Sequence, residues 1–372
     1  MNKSARVYRI VAAGGSIIKK NARLLIGIAI GMLIVVIFSF FYSKKESHRQ
    51  QRQYEKMLIA QQAELIETTR NSALVNVMNN VVDQANDELS HHPKRMLSDE
   101  TIGRIAALSY SFTPYSHVEG DSISSKKLSP ERGQLLLIIS GMRIDSGSLD
   151  KIMQQSVFAS ASLRNADLQN AYLKGVNLLG ADLHGANLEG VNLNEADLRS
   201  ADLWGANLKH ASLMFADLTS AELSWSDLNG ASLKEAQLNK AIIKSAQLRK
   251  TDLSGALLHR ADLTGAFLNE ANLERVDLLS AFLIRANLNG ANLSQANLTT
   301  SMLTEANLTE VNLTGATLTK VGLTGCVVSQ ANWLTLLNEW KVIGAKEIAE
   351  RYKLVADSAT LIRQYYLINR SK

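Results

Sequence analysis

The side chains that most often carry out chemistry are few and far apart in the long regular part of this sequence. His184, His210 and His259 are the only histidines between residues 156 and 335, and no carboxylate accompanies them at a constant spacing. Cys326 is the single cysteine, which excludes an intramolecular disulfide framework. A nucleophilic triad or a metal centre needs several such groups to converge in one cleft. We therefore predict no catalytic, metal-binding or cofactor-binding residues, no cofactor and no small-molecule substrate.

Sequence motifs of the common enzyme classes are also missing. The chain has no Gly-x-Ser-x-Gly, no P-loop and no His-Glu-x-x-His. His91 and His92 are adjacent, which is not a metal-ligand spacing, and with Pro93 they indicate a turn. We predict that the protein is not an enzyme. An enzyme hidden in residues 44–155 is the alternative.

A five-residue repeat positions every outward side chain in the second half of the chain. Residues 156–335 divide into 36 blocks, with Leu at the centre of 32 and Ala two places earlier in 26. A period of five fits neither a helix nor a strand, but it fits a chain that turns the same corner repeatedly and stacks coil on coil. Leu and Ala would fill the interior, and Gly, which closes 11 blocks, favours a corner with positive φ. The blocks without a central Leu carry Phe158, Ile243, Val328 and Trp333.

This repeat resembles the pentapeptide-repeat family. The resemblance implies a mainly β fold, a right-handed quadrilateral β-helix with four blocks per coil, hence about nine coils. At a strand spacing near 4.8 Å the rod would be roughly 40 Å long. The segment before the repeats is similar to uncharacterised membrane-anchored bacterial members, in which the string Leu-Ser-Pro-Glu-Arg-Gly-Gln-Leu-Leu-Leu, here residues 128–137, precedes the repeats.

With four blocks per coil, residues twenty apart lie on the same side of the rod. The blocks centred on 163, 183, 203 and onward to 323 share one side, named face 1 below. Large apolar residues are more frequent there than on the other three faces, although Asp262 and Thr264 interrupt them. A column of exposed apolar groups favours a partner-contact surface, and the alternative is the scatter of exposed aromatics that solenoids tolerate. The candidate contact residues are Trp204, Trp225, Ile242, Phe282, Ile284 and Met302.

The charge is unevenly distributed along the chain. Residues 156–335 hold 13 basic and 17 acidic side chains, whereas the remainder of the chain is strongly basic. The resemblance makes a DNA-mimic inhibitor or protector of a topoisomerase the alternative function, but mimicry needs a strongly acidic surface. A mid-rod group of bases is spread over all four faces, so we expect a solvated band and no nucleic-acid partner. These bases are Lys234, Lys240, Lys244, Arg249, Lys250 and Arg260.

An uncharged apolar run of 19 residues covers positions 24–42. At 1.5 Å per residue it just spans the bilayer core, so we predict a single-pass transmembrane helix near the N-terminus, in contact with lipid. A cleaved signal peptide is the alternative, but Lys44-Lys45-Glu46 follows the run rather than a small-residue cleavage site. Basic residues flank both ends about equally, so the positive-inside rule does not select the side of the membrane that carries the repeats.

The other segments are predicted to be helices and caps. Ser98, Ser129 and Ser148 are expected to begin helices, and segments 46–68 and 71–90 to form two more. Because the ends of a solenoid expose apolar core and unpaired backbone, we expect these helices to plug the first coil and Trp333 to cover the last. The predicted division is a basic tail over 1–23, the transmembrane helix over 24–42, a helical juxtamembrane and capping region over 43–155, the β-helix over 156–335 and an α/β cap over 336–372.

Together these features predict a membrane-tethered protein-interaction scaffold. The rigid exterior of the repeats, rather than an interior cleft, would meet an unknown protein partner or a second copy of the chain.

Overall fold

The structure is a computed structural model that describes residues 4–119, 122–357 and 364–370. Within these ranges, side chains are described from residue 37 onward, apart from several within 63–71 and all of 117–125. The chain forms two compact units, one of residues 1–65 with 118–124 and one of residues 66–117 with 125–372.

A single helix, α1 (Ser4–His91), occupies the N-terminal segment. The sequence predicts two separate helices over 46–68 and 71–90, and this is wrong: no proline or glycine separates them, so the helix continues. The end predicted at His91 is confirmed. In the last turns Met78, Val81, Ala85 and Leu89 are buried at helical spacing.

The predicted anchor, residues 24–42, falls within α1, and the side chains of 24–36 lie outside the described residues. In the part of the chain that the structure describes, no helix combines the length and the apolar content that crossing a bilayer requires.

Three short helices form the region before the repeats. Helix α2 (Asp99–Ser111) is capped by Ser98, whose side chain accepts from the Thr101 amide, and α3 (Pro130–Gly141) is capped by Ser129. Both starts are as predicted. Helix α4 (Ser146–Gln155) begins earlier than the predicted Ser148, because Asp145 accepts from the amides of Gly147 and Ser148 while the Ser148 hydroxyl accepts from the Leu97 amide instead.

A two-stranded sheet of β1 (Tyr115–Glu119) and β2 (Ser122–Leu128) lies between α2 and α3. The sequence does not predict it, because these residues are mostly polar and lack the alternation of apolar and polar positions that marks a half-buried strand.

The segment from Ser129 to Gly133 joins the helices to the first coil. The Ser129 amide donates to Ser160 O at 2.8 Å, and the Ser162 amide donates to Ser129 O at 3.1 Å. Buried Arg132 donates to Ser109 O at 2.9 Å and to Ala159 O at 2.7 Å. These contacts explain the Ser-Pro-Glu-Arg-Gly string and support the expected plug, because Phe158 and Ile152 share one core with α2 and α3.

The repeats stack as parallel coils with twenty residues per turn. Parallel bridges join residues twenty apart, as in Asp182 with Asp202, so each coil contains four blocks. The Leu183 amide donates to Asp202 O at 2.7 Å, and the Asp182 amide donates to Ala161 O at 2.9 Å. The central leucines are buried along the whole rod, and so are the small residues two places before them, except Ala166, which is half-buried. Coil-to-coil bonding thus satisfies the backbone around a continuous apolar core.

Each corner uses a left-handed backbone conformation. The residue that closes a block has positive φ, from Ser160 to Gly325, whether or not it is glycine; Trp225, for instance, has φ 62°. The Asn or Asp before the leucine stabilises the corner, since its side chain accepts from the amide two residues later, as Asp182 does from His184 at 3.2 Å. The corner conformation that glycine indicates is confirmed, and it extends to every block that ends between Ser160 and Gly325.

The C-terminal end is closed by helices and a sheet. The last regular block is centred on Val328, and the block centred on Trp333 begins helix α5 (Trp333–Glu339), with Trp333 only 2% exposed. Helix α6 (Ala345–Arg351) follows. Strands β3 (Val327–Val328), β4 (Tyr352–Ala356) and β5 (Tyr365–Asn369) form an antiparallel sheet in the order β3-β5-β4.

Candidate interaction face

Three of the candidate contact positions follow one ladder of the rod. The bridges run from Ile242 to Asp262, from Asp262 to Phe282 and from Phe282 to Met302, so these side chains project from successive coils of face 1. Ile242, Phe282 and Met302 are exposed. Ile284 lies in the neighbouring column, two residues after Phe282, and is half-buried. The structure therefore places these residues in one strip, with Asp262 interrupting it.

The two tryptophans lie on adjacent coils of the same face, nearer to the N-terminus. Trp204 is 42% exposed and stacks on His184, with ring centroids 4.7 Å apart and planes 13° from parallel. Trp225 is the last residue of the face 1 block on the next coil, where the chain turns the corner, and it is 64% exposed. The His184 contact holds the Trp204 ring while leaving its outer surface open to a partner.

Face 1 carries more exposed apolar surface than the other faces. Among the described residues of the rod, nine large apolar side chains are classed as exposed, and five belong to face 1. The others are divided among the remaining faces: Leu179, Phe215, Leu257 and Phe267. Face 1 therefore carries the largest share of the exposed apolar side chains described on the rod.

Two carboxylates on face 1 are functional candidates that reasoning from apolar positions missed. Asp202 accepts from the Trp204 amide at 3.1 Å, and Glu222 accepts from the Ser224 amide at 2.9 Å. Within the described residues, neither carboxylate has a cationic side chain within 4 Å. The two are bridge partners on adjacent coils, beside Trp204 and Trp225. In the sequence, these two positions could have been found from the acidic residue that directly precedes the leucine in each tryptophan-containing block.

Charges farther along face 1 are paired within the chain. Lys244 Nζ lies 3.1 Å from Asp262 Oδ2, and Arg285 Nε lies 2.6 Å from Glu305 Oε2. Partial burial opposes ionisation of Asp262, but hydrogen bonds from Thr264 and Lys244 lower its pKa below the ordinary value. Unneutralised negative charge on face 1 is thus concentrated around the tryptophans.

Ladders of amide side chains occupy another face. Asn272 donates to Asp252 at 3.0 Å, Asn292 to Asn272 at 3.2 Å and Asn312 to Asn292 at 2.9 Å. These amides bond to each other from coil to coil. This stretch is therefore less suited than face 1 to contact a partner.

The titratable groups first considered for chemistry do not converge. His184 lies on face 1, whereas His259 lies on another face, with its Nε2 2.7 Å from Asp277 Oδ2. His210 closes a block on a third face. Cys326 is buried, its thiol donates to Leu303 O at 2.8 Å, and burial raises its pKa to about 12. Across the described residues, no group of three His, Cys, Asp or Glu side chains is placed to hold a metal ion.

The mid-rod bases are partly neutralised by acids on neighbouring coils. Besides Lys244 with Asp262, Lys250 Nζ lies 3.5 Å from Glu270 Oε2. Outside this group, Lys209 pairs with Asp227 on the next coil, and Arg199 pairs with Asp197 in its own block. Alternation of signs along the rod differs from the uniformly acidic surface that DNA mimicry requires.

Comparison with known proteins agrees with the repeat geometry. The family model described as pentapeptide repeats matches in eight copies, all within residues 152–330. HetL, a pentapeptide repeat protein involved in heterocyst differentiation regulation from the cyanobacterium Nostoc sp. strain PCC 7120, is 36% identical over 46% of this chain and 82% of its own, with a TM-score of 0.36. The chain therefore belongs to the pentapeptide repeat family.

Two other solved structures are more distant. QnrB1, a plasmid-mediated fluoroquinolone resistance protein, is 17% identical over 49% of this chain and 96% of its own, with a TM-score of 0.36. A pentapeptide repeat protein from the Arabidopsis thaliana thylakoid lumen is 28% identical over 30% of this chain and 74% of its own, with a TM-score of 0.21. Scores this low add nothing to the argument, so membership rests on the repeats and on the identity to HetL. No curated protein sequence matches this chain.

Proposed function

We propose that the protein is a membrane-tethered, non-catalytic interaction scaffold that presents face 1 of its rod to a protein partner. The observation that carries the proposal is the concentration of exposed apolar side chains on this one face, with Trp204 and Trp225 on adjacent coils. Interface energy is usually concentrated in a few residues, and tryptophan is the most enriched type among them.

The tether in this proposal rests on the sequence of residues 24–42. An uncharged run of 19 residues, followed directly by Lys44 and Lys45, has the length and flanks of a single-pass anchor. Anchoring would hold the rod at a bilayer and raise the effective concentration of any partner in the same membrane, which favours weak surfaces such as face 1.

The test is to replace Trp204 and Trp225 together by Ser and to measure the molar mass of the protein solubilised from its native membranes. We expect the unmodified protein to migrate as a complex and the double variant as the free chain, because loss of two aromatic anchors weakens an interface by ~10-fold or more. The matched control is Met214→Ser with Phe215→Ser, which removes a half-buried and an exposed apolar side chain from another face. Equal masses for the unmodified protein and the tryptophan variant, with both folded, would reject the function.

A further inference from the structure

We infer that the N-terminal half of face 1 docks a basic amphipathic helix of the partner protein. The inference rests on the proposed scaffold function and specifies the chemistry of the partner. The docking patch consists of Asp202, Trp204, Glu222 and Trp225.

Charge defines the first requirement for the partner. Asp202 and Glu222 lie on adjacent coils, about 4.8 Å apart along the rod. One oxygen of each carboxylate accepts a hydrogen bond from the amide two residues later in its own turn. The second oxygen of each carboxylate is not bonded to a cationic group in the described part of the chain. On the preceding coil Asp182 already pairs with Arg164 at 3.2 Å, and on the following coil Lys244 is paired with Asp262. The patch is therefore an isolated pair of negative charges that a cationic partner would complement.

The two indoles define the second requirement. Trp204 and Trp225 expose ring surface beside these carboxylates, and indole faces attract Arg and Lys within about 6 Å of the ring centroid. Long basic side chains also bring aliphatic stems that cover aromatic surface while the charged end stays in water. A purely apolar partner would instead leave two carboxylates desolvated without compensation, which is costly.

Spacing favours a helix over an extended segment, because the helical i, i+3 rise of about 4.5 Å is the nearest match to the coil separation. Along a helix, side chains at i, i+3, i+4 and i+7 lie on one face, with rises of about 4.5 and 6 Å between neighbours. A helix parallel to the rod axis thus places successive cations close to the ~4.8 Å separation of the coils. In an extended segment the same-face spacing is about 6.8 Å, which overshoots the next coil.

The experiment measures binding of a synthetic helix to the full chain in neutral detergent micelles. The probe is a fluorescent, alanine-rich peptide of about 18 residues with Arg at four positions spaced by four, three and four residues. Its control peptide has the same composition with the arginines distributed around the helix. We expect the first peptide to bind several-fold more tightly at low salt and to weaken as salt rises, because exposed charges are screened.

Asp202→Asn with Glu222→Gln is the decisive variant, because both amides still accept the turn hydrogen bonds and the fold is preserved. It should weaken peptide binding by ~10-fold, since two exposed charge pairs and their coupling to the indoles are lost. The matched control is Asp197→Asn with Asp217→Asn, which removes two stacked carboxylates from another face where both already contact Arg199. It should change binding less than twofold.

Equal binding of the two peptides, or equal loss in the two carboxylate variants, overturns the inference by showing only non-specific charge attraction. Absence of binding also overturns it. If the peptide does not bind but the tryptophan variant still dissociates the native complex, the partner class is wrong and the scaffold function stands. If the peptide does not bind and the tryptophan variant also keeps the molar mass of the native complex, the scaffold function itself is rejected.

Discussion

At the scale of single residues, the block position determines what a side chain can do. An inward position buries even a thiol, as with Cys326, whereas an outward position leaves a tryptophan available to a partner. Asp202 and Glu222 each have two roles, because one carboxylate oxygen stabilises the corner and the other faces solvent beside an indole.

Cys326 gives a prediction about reactivity. Because burial raises the pKa of its thiol to about 12, the thiolate fraction at pH 8 is small and access is blocked. We expect negligible labelling by a thiol-specific chromogenic reagent in native protein and complete labelling in denaturant. Cys326→Ala restores the residue usual at this position and should cost at most ~1 kcal/mol of unfolding free energy. Rapid labelling of the native protein would show that the end of the rod opens.

At the scale of elements, the critical junction is the start of α3 against the first coil. A Cβ added at Gly133 would lie 2.1 Å from the backbone oxygen of Ser162, and neither the helix nor the coil can move without breaking the hydrogen bonds of Ser129. Gly103, in α2, has no atom within 4 Å of such a Cβ. These two helical glycines therefore give opposite expectations for the same substitution.

Gly133→Ala should destabilise the protein by ~2 kcal/mol or more, because overpacking against backbone forces the cap away from the coil. Gly103→Ala should stabilise it by ~0.4–1 kcal/mol through the lower entropy of the unfolded chain. Denaturant unfolding, followed by tryptophan fluorescence, compares the two variants. Similar changes of the same sign in both would contradict the described junction.

Sequence patterns predicted the elements with strong local signals. Strict five-residue spacing was sufficient for the coils, and Ser98 and Ser129 marked helix starts through their hydroxyls. Asp145 was missed because Ser148 offers an equally good local cap, and only the tertiary bond from the Leu97 amide commits that hydroxyl elsewhere. The candidate strip on face 1 followed from the twenty-residue period. The lack of a cationic side chain near Asp202 and Glu222 did not follow from the sequence, since it depends on where the neighbouring lysine and arginine side chains reach.

At the scale of the whole molecule, the rod is a rigid object whose faces differ in chemistry. One face is rich in exposed apolar groups, another carries amide ladders, and charged side chains of both signs, several of them in ion pairs, surround the middle. Under the proposed function, this molecule would recognise a partner by the face that it presents, and a bilayer anchor would increase the lifetime of a weak contact. The central claim is therefore that contact occurs on face 1 and at a membrane.

The most direct test is site-specific photo-crosslinking in native membranes washed at alkaline pH to remove peripheral proteins. A benzophenone amino acid replaces Trp225 on face 1 or, as matched sites on the other three faces, Phe215, Leu257 or Phe267, all of which are exposed. The account predicts that the protein stays in the washed membranes and that position 225 gives a discrete adduct at least several-fold more abundant than the other three sites. Release of the protein by the wash, or equal adducts from all four faces, would contradict it.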